Sequence, residues 1–293
     1  MHNHPELREQ TVHGEPDFPV SVYYNPCTQE QILVHHWHIE MEFIYVVSGD
    51  TIFYIDTEPV RLHAGEAAFV RGGQIHGGRA QGATPSEFYS IVFHPSVLLS
   101  NMLGPSRVRY AEPFAENQLC LPTRLGFDPF GQYATGKLKE IVEAYFSPQP
   151  GREISILSAL YAVIGKAAAH GILTPSREKP NSLDQYKRDR LRKTFEYIHL
   201  HYAEKITVED MATNLCVNPY YFCHFFRKLC QTTPIEYVNL YRIERASRLL
   251  AETDTKILTI ALDCGFSNFS YFIRRFKAIK GCTPSAYRKK ETV

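Results

Sequence analysis

The chain has 293 residues, 44% of them hydrophobic, with 32 basic and 31 acidic side chains. That is apolar material for a sizeable core and length for about two domains, which excludes a disordered or fibrous chain. No apolar run is long enough to span a bilayer, the net charge of +1 argues against a non-specific DNA-packaging protein, and seven cysteines without a C-x-x-C pair fit reduced thiols in cytoplasm.

Residues 1–20 are polar and irregular, and Met1 to Glu6 lacks the basic start and apolar stretch of a secretory leader. From about residue 20 to 94 the text is strand-like. Ile52-Phe53-Tyr54-Ile55 is rich in β-formers, Asp56-Thr57-Glu58-Pro59 is a turn, and Phe88 to Phe93 is another strand. Short strands at this spacing predict a small antiparallel barrel. Residues 95–134 carry no clear pattern. Leu138, Ile141, Val142 and Tyr145 then form one helical stripe, and Leu157, Leu160, Tyr161 and Ile164 another, broken by Ser147 to Gly151. The product is a helical hairpin over about 135–170, which caps the barrel or serves as a dimer surface. Thr174 to Asp184, with Pro175 and Pro180, reads as an exposed linker.

Everything after the linker is helical. A first helix runs from about Leu191 to Tyr202. Thr207 caps a helix to Leu215, with Asp210 placed for a capping box. Asn218-Pro219 starts a helix to Leu229 whose inward face is Phe222, Phe225, Phe226 and Leu229; Tyr220, Cys223, His224, Arg227 and Lys228 face outward. A long helix follows from Pro234 to about Glu252. Ser267-Asn268 then starts a helix to Lys280, with Phe272, Phe276 and Ile279 inward and Phe269, Ser270, Ile273, Arg274 and Lys277 outward; Gly281 stops it. The Phe-x-x-x-Phe, Pro and Tyr of the first unit recur 50 residues later in the second. Each copy is short helix, turn, second helix, which is a helix-turn-helix, and a duplicated unit lays two helices along one DNA duplex.

Charge divides the same way. From Lys187 onward the balance is +8, and before it −7. The basic block suits phosphate; the acidic block argues that DNA does not touch the N-terminal half.

The stretch from Ile257 to Tyr287, with Ala261, Gly265-Phe266, Tyr271-Phe272, Arg274, Phe276-Lys277, Gly281 and Thr283-Pro284, resembles the signature of the AraC family of bacterial transcription regulators. The resemblance implies that both second helices enter successive major grooves. By it, Tyr220, Cys223 and His224 are candidate base-readers of the first unit, and Phe269, Ser270, Ile273 and Arg274 those of the second. Arg274 suits guanine O6 and N7. Arg227, Lys228, Arg275 and Lys277 are better read as phosphate contacts. Two departures mark the first unit: Cys216 stands where the second has Gly265, and Gln231 where it has Gly281. Its turn is also one residue shorter, which would let it dock at a different angle.

His36-Trp37-His38, then Glu42 and Gly49, resembles the first motif of the cupin superfamily, and Gly65 and Gly73-x-x-His76 fit part of the second, with Arg71 where Pro is common. Taken literally, His36, His38, Glu42 and His76 are a three-histidine, one-carboxylate metal set. The AraC resemblance implies that such text is often kept without metal to hold an effector, so no cofactor is expected. His36, His38, Glu42, Tyr45, Tyr54 and His76 form the candidate effector pocket, and Trp37, Phe43, Phe53, Tyr89 and Phe93 add aromatic surface suited to a sugar.

The expected architecture is α+β: a cupin-like antiparallel barrel with a helical hairpin at 1–173, a linker at 174–186, and an all-α domain with two helix-turn-helix units at 187–293. The expected function is sequence-specific regulation of transcription, by activation as the family's commoner habit. Double-stranded DNA, a small effector, a second copy of the chain and RNA polymerase are the expected partners, with no membrane. The competing reading is a metal-dependent cupin enzyme fused to a DNA-binding domain.

Overall fold

A computed structural model of the chain describes residues 13–15, 17–27, 31–56, 58–81, 85–99, 104–147, 149–176, 182–230 and 232–291. The N-terminal stretch read for a leader, Gln231 and residues 177–181 of the expected linker lie outside them. The chain divides into two compact units, with the boundary between Gln185 and Tyr186.

The first unit holds strands β1 (Val20–Cys27), β2 (Gln31–His36), β3 (Met41–Ser48), β4 (Asp50–Ile55), β5 (Glu58–His63), β6 (Ala67–Val70), β7 (His76–Gln81), β8 (Ser86–Phe93), β9 (Leu119–Cys120) and β10 (Arg124–Leu125). Antiparallel pairing gives a larger sheet in the order β1-β8-β3-β6-β10 and a smaller one in the order β2-β7-β4-β5. Alternation along β3 shows what each face does. Ile44 and Val46 join Phe53, Ile55, Leu62, Ala68, Val70 and Phe88 in the barrel interior. Met41 and Phe43 join a second core with helices α2 (Pro129–Phe146) and α3 (Arg152–Ala169). A short helix, α1 (Glu112–Ala115), puts Phe114 into that second core. The larger sheet is therefore buried on both faces, and the expected hairpin packs on its outer face.

Helix α2 begins well before the expected start. The Asp128 carboxylate accepts hydrogen bonds from the main-chain N–H groups of Phe130 and Gly131, and Pro129 takes the first helical position. That start signal lies in the sequence, in the stretch read as patternless. Thr174–Pro175 (β11) pairs with β9, which holds the first residues of the expected linker in a ladder.

Helix α4 (Ser182–His201) begins nine residues ahead of the expected Leu191. Leu183 to Arg190 contain no Gly or Pro to stop it. The second unit continues with α5 (Val208–Asn214), α6 (Pro219–Cys230), α7 (Pro234–Glu252), α8 (Ile257–Asp263), α9 (Phe269–Lys280) and α10 (Pro284–Glu291). Thr207 and Asp210 make a full capping box on α5. Asn218 and Asn268 cap α6 and α9 through their side-chain oxygens. Phe195 of α4 stacks on Tyr237 at 4.8 Å and meets Phe226 edge-on, building the first core. Ile243, Ala246 and Leu250 of α7 pack with Ile260, Ala261, Phe266, Phe272 and Phe276 in the second. One long helix thus serves both helix-turn-helix units with successive stretches.

Candidate functional site

Four side chains converge inside the first unit. His36 ends β2, His76 opens β7, Glu42 is second in β3, and His38 lies between β2 and β3. The β2–β7 register slips between Leu33 and His36, where His36 pairs with His76. Leu33 packs against the interior core. Unbroken alternation would place His35 on that same side; the slip turns His36 inward instead. One possible ligand atom from each of His36, His38, Glu42 and His76 lies within 4.8 Å of the others.

The hydrogen bonds fix the tautomers. His36 Nδ1 lies 2.8 Å from the Val34 carbonyl, His38 Nδ1 3.1 Å from that of Glu40, and His76 Nδ1 3.0 Å from that of Gln74. A carbonyl only accepts, so each Nδ1 donates, and each neutral ring keeps its lone pair on Nε2. The Nε2 atoms of His38 and His76 lie 3.3 and 2.8 Å from Glu42 Oε2. Lone pairs facing a carboxylate at these distances require a cation between them, a proton or a metal ion. Burial pushes the Glu42 carboxyl up, but charge on His76, hydrogen bonds from His38 and His76, and charge on His38 hold it well below the usual carboxylate range. The donor set fits a first-row divalent ion: three imidazole Nε2 atoms, one carboxylate, and a carbonyl behind every imidazole.

The loop before His76 is itself anchored. Asp56, at φ 55°, accepts from the Gln74 side chain at 2.9 Å and from the Ile75 N–H at 3.2 Å. Gln74 Oε1 accepts from the Arg71 N–H, and the Arg71 guanidinium donates to Ser176 Oγ. Arg71, the departure from the cupin pattern, thus holds this loop. His35 is buried across Gly77, where an added Cβ would lie 2.7 Å from the imidazole. Burial first, then charge on His36 and His76, lowers its pKa to about 3.

Tyr45 and Tyr54, expected in the pocket, are not with these four. Tyr45 packs against the core shared with α2 and α3. Tyr54 lies beside Phe53 and Ile55, which point into the barrel, and its ring sits 6.1 Å from that of His35. Strand alternation is the reason: Glu42 shares a face with Ile44 and Val46, so Tyr45 takes the opposite one. Phe43 and Phe93 fill the helix-side core, while Phe53 packs in the barrel interior. A residue the sequence reading missed comes near instead: the buried His13 ring lies 5.3 Å from His38, with Nδ1 2.9 Å from the Tyr23 hydroxyl. No local pattern marks it, since the contact joins distant stretches.

In the second unit, Tyr220 is 85% exposed, His224 is exposed and Cys223 half-buried on α6. On α9, Phe269, Ser270 and Arg274 are exposed, while Ile273 is half-buried against the second core. Arg227, Lys228 and Lys277 are exposed. Arg275 is different: its guanidinium pairs with Glu236 of α7, a partner 39 positions away, and is drawn off the surface expected to meet phosphate. No helix of the described residues is long and apolar enough to cross a membrane.

Comparison with known proteins agrees with this division. A helix-turn-helix domain family matches residues 211–290, and a cupin domain family matches residues 25–92. The chain is 26% identical over 286 residues to the uncharacterized HTH-type transcriptional regulator YdeC of Bacillus subtilis (strain 168), covering 97% of this chain and 96% of that one. It is 32% identical over 114 residues to the melibiose operon regulatory protein of Escherichia coli (strain K12), covering 39% and 38%. Among solved structures it is similar to ToxT from Vibrio cholerae O395, at 15% identity, 95% and 99% coverage and a TM-score of 0.44.

Proposed function

We propose, from the premise that the chain belongs to the AraC family of DNA-binding transcription regulators and carries an N-terminal cupin domain, that its regulation works through the cluster of half-buried His36 with buried His38, Glu42 and His76. The observation that carries this is the convergence of imidazole Nε2 atoms on one carboxylate, every Nδ1 being tied to a carbonyl. These four side chains would hold a divalent metal ion, which when bound supplies a Lewis acid for oxygen ligands. The effector is then a small polar molecule with oxygen donors, a sugar or sugar acid among the candidates.

Binding in the barrel biases DNA binding, a coupling between two sites. The family relatives are regulators, and the reading assigns the chain no catalysis. Activation, contact with RNA polymerase and a cytoplasmic location belong to the same proposal. So does a homodimer, for which exposed Phe146 and Ile154 at the facing ends of α2 and α3 are the supporting feature.

Metal analysis of the purified chain, followed by DNA-binding titrations with and without chelator, tests the reading. A stoichiometric divalent ion whose removal shifts DNA affinity is expected. A chain that binds no ion, and whose DNA affinity ignores chelator, overturns it.

A further inference from the structure

The two helix-turn-helix units treat one equivalent tyrosine differently. Tyr271, just before Phe272, is half-buried, and its hydroxyl accepts from the Asn239 side chain of α7 at 3.1 Å. Tyr221, just before Phe222, is 45% exposed, and its hydroxyl accepts from Arg190 of α4 at 3.2 Å. The Arg190 guanidinium lies 4.1 Å from the centre of the Tyr186 ring and 5.5 Å from that of Tyr221. Tyr186 is itself 48% exposed. Among the described residues no carboxylate is paired with Arg190.

The position of this group matters. Tyr221 lies in the first turn of α6, its N–H held by the Asn218 cap at 2.7 Å. The neighbouring Tyr220 is the most exposed large hydrophobic residue of the chain's described part. No acidic residue occupies that first turn. The first turn of α6 therefore carries a hydroxyl whose own proton is not used by Arg190, and beside it stands the α4 guanidinium with donors to spare, near the positive end of the α6 dipole. Two aromatic faces hold the guanidinium plane, so little side-chain freedom is lost when it meets a planar anionic partner.

We infer that Arg190 and Tyr221 form a contact site for a DNA backbone phosphate beside the first recognition helix. Arg190 supplies charge and a forked pair of donors, and Tyr221 aims it and adds a hydroxyl. The site lies off the base-reading face, so it contributes affinity and register without sequence preference. The inference rests on the DNA-binding reading and adds a contact from α4, outside the helix-turn-helix itself.

The test uses the full chain, a duplex selected from a random pool by the wild-type protein, and a scrambled duplex of equal length. Affinity is measured across roughly 50–200 mM salt. Arg190→Ala should flatten the slope of log affinity against log salt by about 0.9, shrinking the change over that range by about 3.5-fold. The loss should be equal on both duplexes, Arg190→Lys should restore the slope, and Tyr221→Phe should weaken binding with the slope kept. An unchanged slope in Arg190→Ala overturns the inference, as does a loss confined to the selected duplex. If Arg190→Ala melts early, Arg190→Gln replaces it under the same criterion. A wild-type chain that shows no salt dependence or preference sinks the DNA-binding reading instead, which keeps the two failures apart.

Discussion

Cys216 and Gly265 stand at the same place in the two helix-turn-helix units, and both are left-handed, at φ 54° and 82°. The hydrogen bonds around them match. The N–H of Val217 meets the Ala212 carbonyl at 3.0 Å, and that of Phe266 meets the Ala261 carbonyl at 3.0 Å. The residue by which the turns differ thus falls after the shared bend, just ahead of the Asn268 cap. A side chain at positive φ is strained, and glycine is not.

Cys216→Gly should therefore stabilise the chain, by about 0.5–1 kcal/mol after the entropic cost of glycine is allowed for. Gly265→Ala should do the reverse, by about 2 kcal/mol or more, because strain is joined by a clash. The added Cβ would overlap the Tyr202 carbonyl oxygen and come within 3.0 Å of Ala203 Cα. Urea unfolding of both variants checks this, and equal, small effects would contradict the strain argument.

The histidine cluster predicts a graded response to substitution. Glu42→Gln should lower affinity for a divalent ion at least tenfold, about 1.4 kcal/mol, and His76→Ala should do no less. Tyr45→Phe and Tyr54→Phe should leave that affinity unchanged, since both hydroxyls lie away from the cluster. Calorimetric metal titration of the four variants separates the two groups.

Thiol chemistry should follow burial. Burial pushes the Cys264 thiol up to about 11, charge on Arg245 opposing it, and raises the buried Cys230 well above its usual range. Cys216 is exposed. Alkylation at neutral pH, followed by mass spectrometry, should label Cys216 early and Cys264 and Cys230 only on unfolding. The folded thiol of Cys264 titrates above the unfolded one, so its contribution to stability is present below pH about 9 and is lost as pH rises toward about 11.

Arg275 and Lys277 sit two positions apart on α9 and should behave differently. Lys277→Ala should flatten the salt dependence of DNA binding by about 0.9. Arg275→Ala should act chiefly on folding, because it leaves Glu236 without its partner across the α7–α9 contact. Comparing salt slopes with unfolding midpoints distinguishes the two; a slope change in Arg275→Ala matching that of Lys277→Ala would restore its phosphate role.

What the chain's text made legible was local. Phe222 with Phe226 and Phe272 with Phe276 declare a buried helical face within one turn, and Thr207 with Asp210 or Asn218 with Pro219 declare starts within three residues. Asp128-Pro129 carries a similar start signal for α2, but no periodic stripe beside it marks the turns that follow. The rest depends on pairing between distant segments. Nothing near Tyr45 or Tyr54 says which strand face is interior; that is settled by pairing with β6, β7 and β8. The slip in β2 that seats His36 rather than His35 is visible only against β7. Arg275 looks like a surface cation until Glu236 is brought to it by the fold.

The doubly covered strand β3 leaves the protein little evolutionary slack. From Met41 to Val46 every side chain is buried except the half-buried Tyr45, and odd and even positions answer to different neighbours. Adding or deleting one residue there would trade every tenant between two incompatible compartments, pulling Glu42 out of the histidine nest and forcing aromatic rings into it. Saturation mutagenesis of the whole gene should find its least permissive window in this hexapeptide, with length changes worse tolerated than any exchange of side chain.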